Sequence, residues 1–375
     1  MKRTLLLVHR WTGIVLAVYV FAVGLTGAIL VFHDDAAKAF REPHVPDNTD
    51  PLMNVDQIVS NIESAYPGWH LHRLYWPRNL QSPWFAEVLK GNVGYLGETA
   101  FAVYLHPSKG HIIGTHNYGR SIWRVLQVIH INLLSGRTGR TFNGVLALAT
   151  LFSVLTGILM WWPRSGEGFL WKVNWSARAK RLNWELHQIT GVYLFAFFVM
   201  FCVTGSYFAW SSNYVRAIAA VFPMKLMNQR MPVIEPVEET DLKPISSFLP
   251  AIQAQVPNYP VTQVIFREAP NGLIRFVVNE GDRSTFYRAN NLFFHPGSGK
   301  LMRADLVRER LTGDSIVNWV SAIHIGPFGI WSKVLWALAG LAFPLSTITG
   351  LIIYVNKRQR TKRAYAQPPE LAYKE

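Results

Sequence analysis

The chain has 375 residues, half of them hydrophobic, and 37 Lys and Arg against 23 Asp and Glu give a formal net charge of +14. Much of that charge borders long uncharged runs, which argues against nucleic acid and for anionic lipid as the partner of the basic residues. A single cysteine, Cys202, excludes an intrachain disulfide and any Cys-x-x-Cys-His attachment of c-type haem.

Four runs carry no Asp, Glu, Lys or Arg: 11–32, 141–163, 186–215 and 334–356. Each is long enough to cross a hydrocarbon core, which takes roughly 20 apolar residues. They predict transmembrane helices over 11–33, 141–163, 186–210 and 330–356. The first is too long for the apolar region of a secretory signal and lacks a small-residue cleavage site, so it is expected to be retained. Lys2, Arg3 and Arg10, the middle loop 164–185 and the tail 357–375 hold clustered Lys and Arg. The positive-inside rule puts these in the cytoplasm, both termini included. Arg137 and Arg140 then fall on the outer side.

The two long stretches between spans are expected outside. In 34–120, residues Val55, Ile58, Val59, Ile62 and Ala65 fall at helical intervals, and Pro67-Gly68 ends the element. Strand-like runs follow at 69–76, 84–90 and 100–105, with His106-Pro107 opening a turn. In 211–313 the plan recurs: a helix over 245–256, strands over 261–267, 273–279 and 285–294, and His295-Pro296 at the turn. Amphipathic segments over 121–140 and 314–329 are too short and mixed to span and are expected at the outer membrane surface. The fold class expected is therefore an α-helical bundle of four transmembrane helices in two pseudo-symmetric halves, with two small α+β modules outside.

The halves are a tandem duplication. His9, Thr12, Gly13, Thr26 and Gly27 recur 178 residues later as His187, Thr190, Gly191, Thr204 and Gly205. His130 with Thr156-Gly157 recurs as His324 with Thr349-Gly350, at offsets of 194 and 193. A histidine entering a membrane is costly without a partner, which raises the prospect of function. At about 100° per residue, Gly13 and Gly27 share the face of His9, and Gly191 and Gly205 that of His187, leaving room for a flat group beside the backbone. A pseudo-twofold axis would bring His9 to His187 near the cytoplasmic face and His130 to His324 near the outer face. Two imidazoles are the axial ligands of a six-coordinate b-type haem, and two haems at different depths make an electron path. Arg10, Arg137 and Arg140 are candidate partners of haem propionates.

Blander readings stand beside these. A histidine at a span terminus is commonly interfacial, recurring Thr-Gly steps serve helix packing, and arginines at a membrane edge snorkel. Zinc or copper stays open, although two ligands underfill its shell. His33 has no repeat partner, since Ser211 takes its place; it is a weaker candidate ligand or substrate-facing group. His106 and His295 read as structural. Trp69, Tyr75, Trp76, Trp84 and Tyr118 read as core packing before a binding cleft. No Gly-x-Ser-x-Gly, Walker or His-Glu-x-x-His motif is present.

The sequences His9-Arg10-Trp11-Thr12-Gly13, Leu25-Thr26-Gly27, His130-Ile131-Asn132-Leu133-Leu134-Ser135-Gly136, Leu155-Thr156-Gly157 through Trp161-Trp162-Pro163-Arg164, and Leu186-His187-Gln188-Ile189-Thr190-Gly191 together resemble the PepSY-associated transmembrane family of iron-regulated bacterial inner-membrane proteins. Within it the chain is similar to the ferrioxamine-type ferric-siderophore reductase branch. The resemblance covers nearly the whole chain. It implies two noncovalent b-type haems ligated by His9, His130, His187 and His324, and reduction of a ferric siderophore on the periplasmic side by electrons from an unidentified donor. It departs after His324, where Ile325-Gly326-Pro327 stands in place of the Leu-Leu-x-Gly that follows His130. Two rival classes remain: a siderophore permease or shuttle with no redox role, and a regulatory protein that binds a partner through its PepSY modules.

Overall fold

The computed structural model describes residues 2–40, 42–46, 48–90, 100–162, 172–225, 231–235, 237–238, 241–268, 272–281 and 286–366. Among the described residues, three helices are long and apolar enough to cross a membrane: α1 (Lys2–Leu30), α5 (Gly136–Trp161) and α11 (Ile330–Ala366). A fourth crossing is broken, with α6 (Ala179–Tyr193) and α7 (Phe195–Ala209) meeting at a bend of 62°. The protein is a membrane protein with three spans, or four if the bent pair counts as one. The third apolar run is thus two helices rather than the single one expected, and the first of them starts before the run does.

Small residues set the bundle's packing. A Cβ on Gly24 of α1 would stand 2.6 Å from the Phe343 side chain of α11, and one on Gly340 would meet Ala28 at 3.1 Å. The half-related contact joins α5 to α7, where a Cβ on Gly144 would lie 2.5 Å from Ala209. Without a hydrophobic drive between helices in lipid, such close backbone approach is what holds spans together.

Two amphipathic helices, α4 (Ile122–Asn132) and α10 (Thr312–Ile325), lead into α5 and α11. The segment expected as one element over 121–140 is divided, because Leu133 and Leu134 both adopt left-handed φ values of 51° and 60° and turn the chain between α4 and α5. α10 ends the same way on Gly326, with φ 72°. Each end is capped from the following span: Asn143 donates to the His130 and Ile131 carbonyls at 2.8 and 3.0 Å, and Trp336 Nε1 donates to the Ile323 carbonyl at 2.7 Å. These bonds satisfy last-turn carbonyls that would otherwise have no partner, and they fix the last turn that carries each histidine.

The outer stretches do not form two separate modules. Strands β1 (His70–Tyr75), β2 (Trp84–Leu89), β3 (Ala100–Leu105) and β4 (Ile112–Asn117) join β5 (Gln263–Glu268), β6 (Leu273–Asn279), β7 (Ala289–Phe294) and β8 (Leu301–Asp305) in one antiparallel sheet, ordered β4-β3-β2-β1-β5-β6-β7-β8. The join is β1 to β5, with Leu74 opposite Val264 and Tyr75 opposite Gln263. Each module alone would leave an edge strand open to pairing, and the duplication closes that edge with its own copy. One face buries Leu74, Trp84, Ala86, Phe276, Leu292 and Phe294. Over it lie α3 (Val55–Ala65), through Ile58 and Ile62, and α9 (Leu249–Gln255), through Ile252. Asp56 of α3 accepts the Ser246 N–H at 3.1 Å, a polar tie across the halves. The helix α2 (His33–Phe40) continues from α1, and α8 (Ser211–Ala219) from α7. His106 and His295 are turn staples, their Nδ1 atoms accepting backbone N–H groups at 3.1 to 3.3 Å.

Candidate functional site

The bundle brings the four repeated histidines together in two pairs, each with one member from each half. The rings of His9 on α1 and His187 on α6 have centroids 6.2 Å apart at 66°. Those of His130 on α4 and His324 on α10 are also 6.2 Å apart, at 47°. His130 lies beside Val23 of α1, 14 residues along the helix from His9 and so about 21 Å deeper at 1.5 Å per residue.

What holds each ring is a Thr-Gly step on another helix of its own half. His9 Nδ1 lies 3.2 Å from Thr156 Oγ1 and 2.9 Å from the Ser153 carbonyl, both on α5. His130 Nδ1 lies 3.3 Å from Thr26 Oγ1 and 3.0 Å from the Val23 carbonyl, on α1. His187 Nδ1 meets Thr349 Oγ1 of α11 at 3.0 Å, with the Ser346 backbone alongside. His324 Nδ1 meets Thr204 Oγ1 of α7 at 2.7 Å. The threonine hydroxyls are already committed as donors to backbone carbonyls three or four residues back, at 2.8 Å for Thr156, 2.7 Å for Thr26, 2.8 Å for Thr349 and 2.6 Å for Thr204. Each hydroxyl oxygen can therefore only accept from the ring, so Nδ1 carries the proton. That assigns the tautomer in all four rings and leaves each Nε2 with its lone pair, the state of a metal-ligating imidazole.

The glycine beside each threonine lets the ring edge lie on the backbone. A Cβ at Gly27 would stand 2.7 Å from His130 Cε1; at Gly157 and Gly350 it would stand 3.1 Å from His9 and His187 Cε1. At Gly205 the distance to His324 Cε1 is 3.7 Å. Gly27 and Gly205 therefore do not floor a space beside His9 and His187, as their shared helix face suggested. Eighteen residues return a helix to the same face but also advance it about 27 Å, which carries these glycines to the other pair. Gly13 and Gly191, one turn from His9 and His187, border open space: a Cβ on either would meet no atom within 4 Å.

The spacing of the pairs suits one metal ion between two imidazoles. The two imidazoles of each pair, with centroids 6.2 Å apart, are the donor set that a bis-histidine haem would take. Among the described residues, no group of three or more His, Cys, Asp or Glu is placed to hold a metal ion. Two protein ligands suit a metal whose other bonds come from a macrocycle, and the residues present fit a bis-histidine haem at both places.

The remaining candidates are placed differently. Arg10 stacks its guanidinium 5.7 Å from the Trp11 ring, and its buried Nε has no hydrogen-bond partner among the described residues. Arg137, Arg140 and Thr141 line a cavity of about 440 Å³ together with residues 208–211. His33 is in neither pair. Its Nδ1 meets the Asp34 carboxylate at 2.8 Å, and its ring lies edge-on to Tyr118 and Trp123 at 6.0 and 5.4 Å. Of the aromatics weighed for a cleft, Trp84 is fully buried with its Nε1 donating to the Pro107 carbonyl at 3.0 Å, and Trp69 and Trp76 pack against the same core.

A family model, the PepSY-associated TM region, matches residues 6–357. The chain belongs to that family. No curated protein matches it. The span of the PepSY-associated match includes the four paired histidines and the Thr-Gly steps at 26–27, 156–157, 204–205 and 349–350, so the paired geometry lies within the family region rather than in an appendage. Sequence reasoning singled out the histidines but passed over the threonines as orienting groups. Their signal was present in the repeat: Thr26-Gly27 recurs as Thr204-Gly205 and Thr156-Gly157 as Thr349-Gly350, as the histidines do.

Proposed function

We propose that this PepSY-associated protein is a haem-bearing reductase of the bacterial inner membrane, passing electrons to a ferric siderophore on the periplasmic side so that iron leaves in the ferrous state. The observation that carries the reading is the double histidine pair: two 6.2 Å spacings at different depths, with every Nδ1 donating to a threonine so that every Nε2 is available. A b-type haem held by each pair would supply one-electron chemistry at a potential set by its ligands and surroundings.

The chain's own contribution is orientation and exclusion of water. The four threonines are buried, and each accepts a hydrogen bond from a ring N–H, which fixes the ring's orientation and tautomer. The Thr-Gly backbone holds the ring edge, and the facing half supplies the second imidazole. No general acid or base is required of the protein. Arg10, whose buried Nε has no hydrogen-bond partner among the described residues, is the propionate-binding candidate at the pair near the termini. Basic residues at 2–3, 178–181 and 357–358 put that end in the cytoplasm and the sheet in the periplasm. The electron donor is then a cytoplasmic or membrane one-electron reductant.

The test is a reduced-minus-oxidised spectrum of the purified protein with haem stoichiometry, repeated for His130→Ala and His187→Ala. Two haems per chain, and one lost in each variant, is the expected result. A colourless protein whose iron-related activity survives both changes would overturn the reading and favour a permease or a partner-binding protein.

A further inference from the structure

The two turns that carry the outer pair are built differently, and the difference lies where the sequence departs after His324. Beyond His130 two residues donate back into α4, Leu133 N–H to the Ile129 carbonyl and Leu134 N–H to the Val128 carbonyl, both at 3.2 Å. The left-handed Leu133 allows this doubled closure. Beyond His324, Gly326 N–H closes on the Ala322 carbonyl at 2.8 Å, but the next residue is Pro327, which has no N–H to give. The second bond cannot form. The other holds run the same way. Asn143 donates to the carbonyls of His130 and Ile131, and its own Oδ1 accepts from the Tyr19 hydroxyl at 2.8 Å, which fixes the amide's orientation. At the repeat-equivalent positions, offset by 193 and 178, stand Trp336 and Phe197. Trp336 donates to the Ile323 carbonyl, and Phe197 contributes a ring edge-on at 5.4 Å in place of a hydroxyl.

The rings themselves repeat the contrast. His130 Nδ1 has two acceptors, Thr26 Oγ1 and the Val23 carbonyl, while His324 Nδ1 has Thr204 Oγ1 alone among the described residues, at 2.7 Å. A Cβ on Gly27 would stand 2.7 Å from His130 Cε1, but one on Gly205 would stand 3.7 Å from His324 Cε1. The other neighbours of the His324 ring are Phe201 and Phe208, edge-on at 5.8 and 5.3 Å, which offer it no hydrogen bond. We infer that His324 is the displaceable member of the outer pair, so that a haem held there keeps His130 and can exchange His324 for a small neutral ligand of the carbon monoxide type. The inference rests on the haem reading and adds to it a ligand site on the α10 side. In the exchange the Nε2 lone pair leaves the reduced iron and a carbon lone pair takes its place, with no electron or proton transferred. Access and polarity on that side are set by Phe201 and Phe208, the groups that decide which small ligands a haem accepts.

The experiment has two arms. In the first, His324→Ala should keep two haems through purification, one of them high-spin, and after reduction with dithionite should bind one carbon monoxide per chain, whereas His130→Ala should lose a haem. With both histidines in place, Trp336→Phe, which keeps an aromatic ring and removes the N–H, should speed carbon monoxide binding by roughly threefold or more. Pro327→Ala, which restores an N–H beyond Gly326, should slow it. Equal haem loss from the two alanine variants overturns the inference, as does a His324→Ala protein that binds no carbon monoxide, or a Trp336→Phe and a Pro327→Ala protein that both bind it at the wild-type rate. The second arm needs no haem: haem-free protein is treated with diethylpyrocarbonate and the acylated rings are located by mass spectrometry. His324 should react roughly threefold faster than His130, or more. Equal or reversed rates overturn the inference, and because this arm reads the rings directly it separates a failure of the asymmetry from a failure of the haem reading.

Discussion

Thr204→Val and Thr156→Val make the same change of shape at two different histidines, and the structure separates their consequences. Valine is nearly isosteric with threonine, so packing against the ring is kept while the acceptor oxygen is lost. For His324 the Thr204 hydroxyl, at 2.7 Å, is the sole Nδ1 acceptor among the described contacts. Its loss leaves a buried N–H unmet, at a cost of about 1–3 kcal/mol, or roughly 5- to 150-fold in an equilibrium constant. That range brackets the 10- to 100-fold loss of metal affinity typical of removing an orienting partner behind a ligand. His9 has a second acceptor, the Ser153 carbonyl at 2.9 Å, and Thr156→Val also frees that carbonyl from the hydroxyl it accepts at 2.8 Å. Its loss should stay below about 1 kcal/mol, under roughly 5-fold. The assay is haem transfer from each purified variant to excess apomyoglobin, with the His130→Ala and His187→Ala spectra identifying which haem leaves. The Thr204 variant should release the haem of its own pair at least tenfold more readily than wild type, and the Thr156 variant should stay close to wild type. Equal release from the two variants, or none from the Thr204 variant, would refute the assignment of Nδ1 as donor and with it the tautomer argument.

Gly27→Ala places a methyl 2.7 Å from His130 Cε1 and should displace that ring, emptying one haem site while the other keeps its absorption; haem stoichiometry of the purified variant decides it. A Cβ on Gly13 faces open space, so in Gly13→Leu the chain should fold and keep its thermal stability yet lose the haem of the His9 pair; a full complement of two haems would mean the open space beside Gly13 is not where the macrocycle lies. His33→Ala should leave both haems in place, because the ring meets Asp34, Tyr118 and Trp123 and neither histidine pair; a changed low-spin spectrum would contradict this. His72, on β1, is pushed down to about 4 by burial first and then by the nearby Arg73 and Arg275. The unfolded chain therefore takes up this proton before the folded one, and stability should fall as pH drops from about 6.5 to about 4, with a slope of up to one proton that His72→Gln removes from a series of melting temperatures.

The membrane helices could be read from runs without charge because lipid enforces that rule residue by residue, and the pairing of His9 with His187 and His130 with His324 followed from the repeat offsets alone. The partners behind the rings were not legible. Helical periodicity relates residues on one helix, and it placed Gly27 with His9 because both share a face; only the packing of α4 on α1 brings Gly27 under His130. The break between α6 and α7 left no proline to mark it, with Leu194 at φ −101° and ψ 12° taking the turn instead. Nor did strand patterns show that β1 and β5 would pair. Alternation fixes which face of a strand is buried, but not which neighbour its edge finds.

The contacts divide along the duplication in a way that bears on how the molecule holds together. Every histidine is oriented by a threonine of its own half: His9 by Thr156, His130 by Thr26, His187 by Thr349, His324 by Thr204. Every ring nevertheless faces a ring from the other half. Each half thus orients two imidazoles by itself, and on the proposed haem reading each site needs a ring from both halves. A ligand bound only by the assembled pairs stabilises the assembled state by mass action, by about 4 kcal/mol at a thousandfold excess over its dissociation constant. The β1–β5 pairing and the small-residue contacts of α1 with α11 and of α5 with α7 join the halves without it. Removing haem should therefore lower the melting temperature without separating the halves, whereas Leu74→Arg at the sheet junction should disturb the sheet first and leave the haem spectrum for last. The opposite order, haem lost before the sheet melts in that variant, would mean that the outer sheet, and not the bundle, sets the spacing of the histidine pairs.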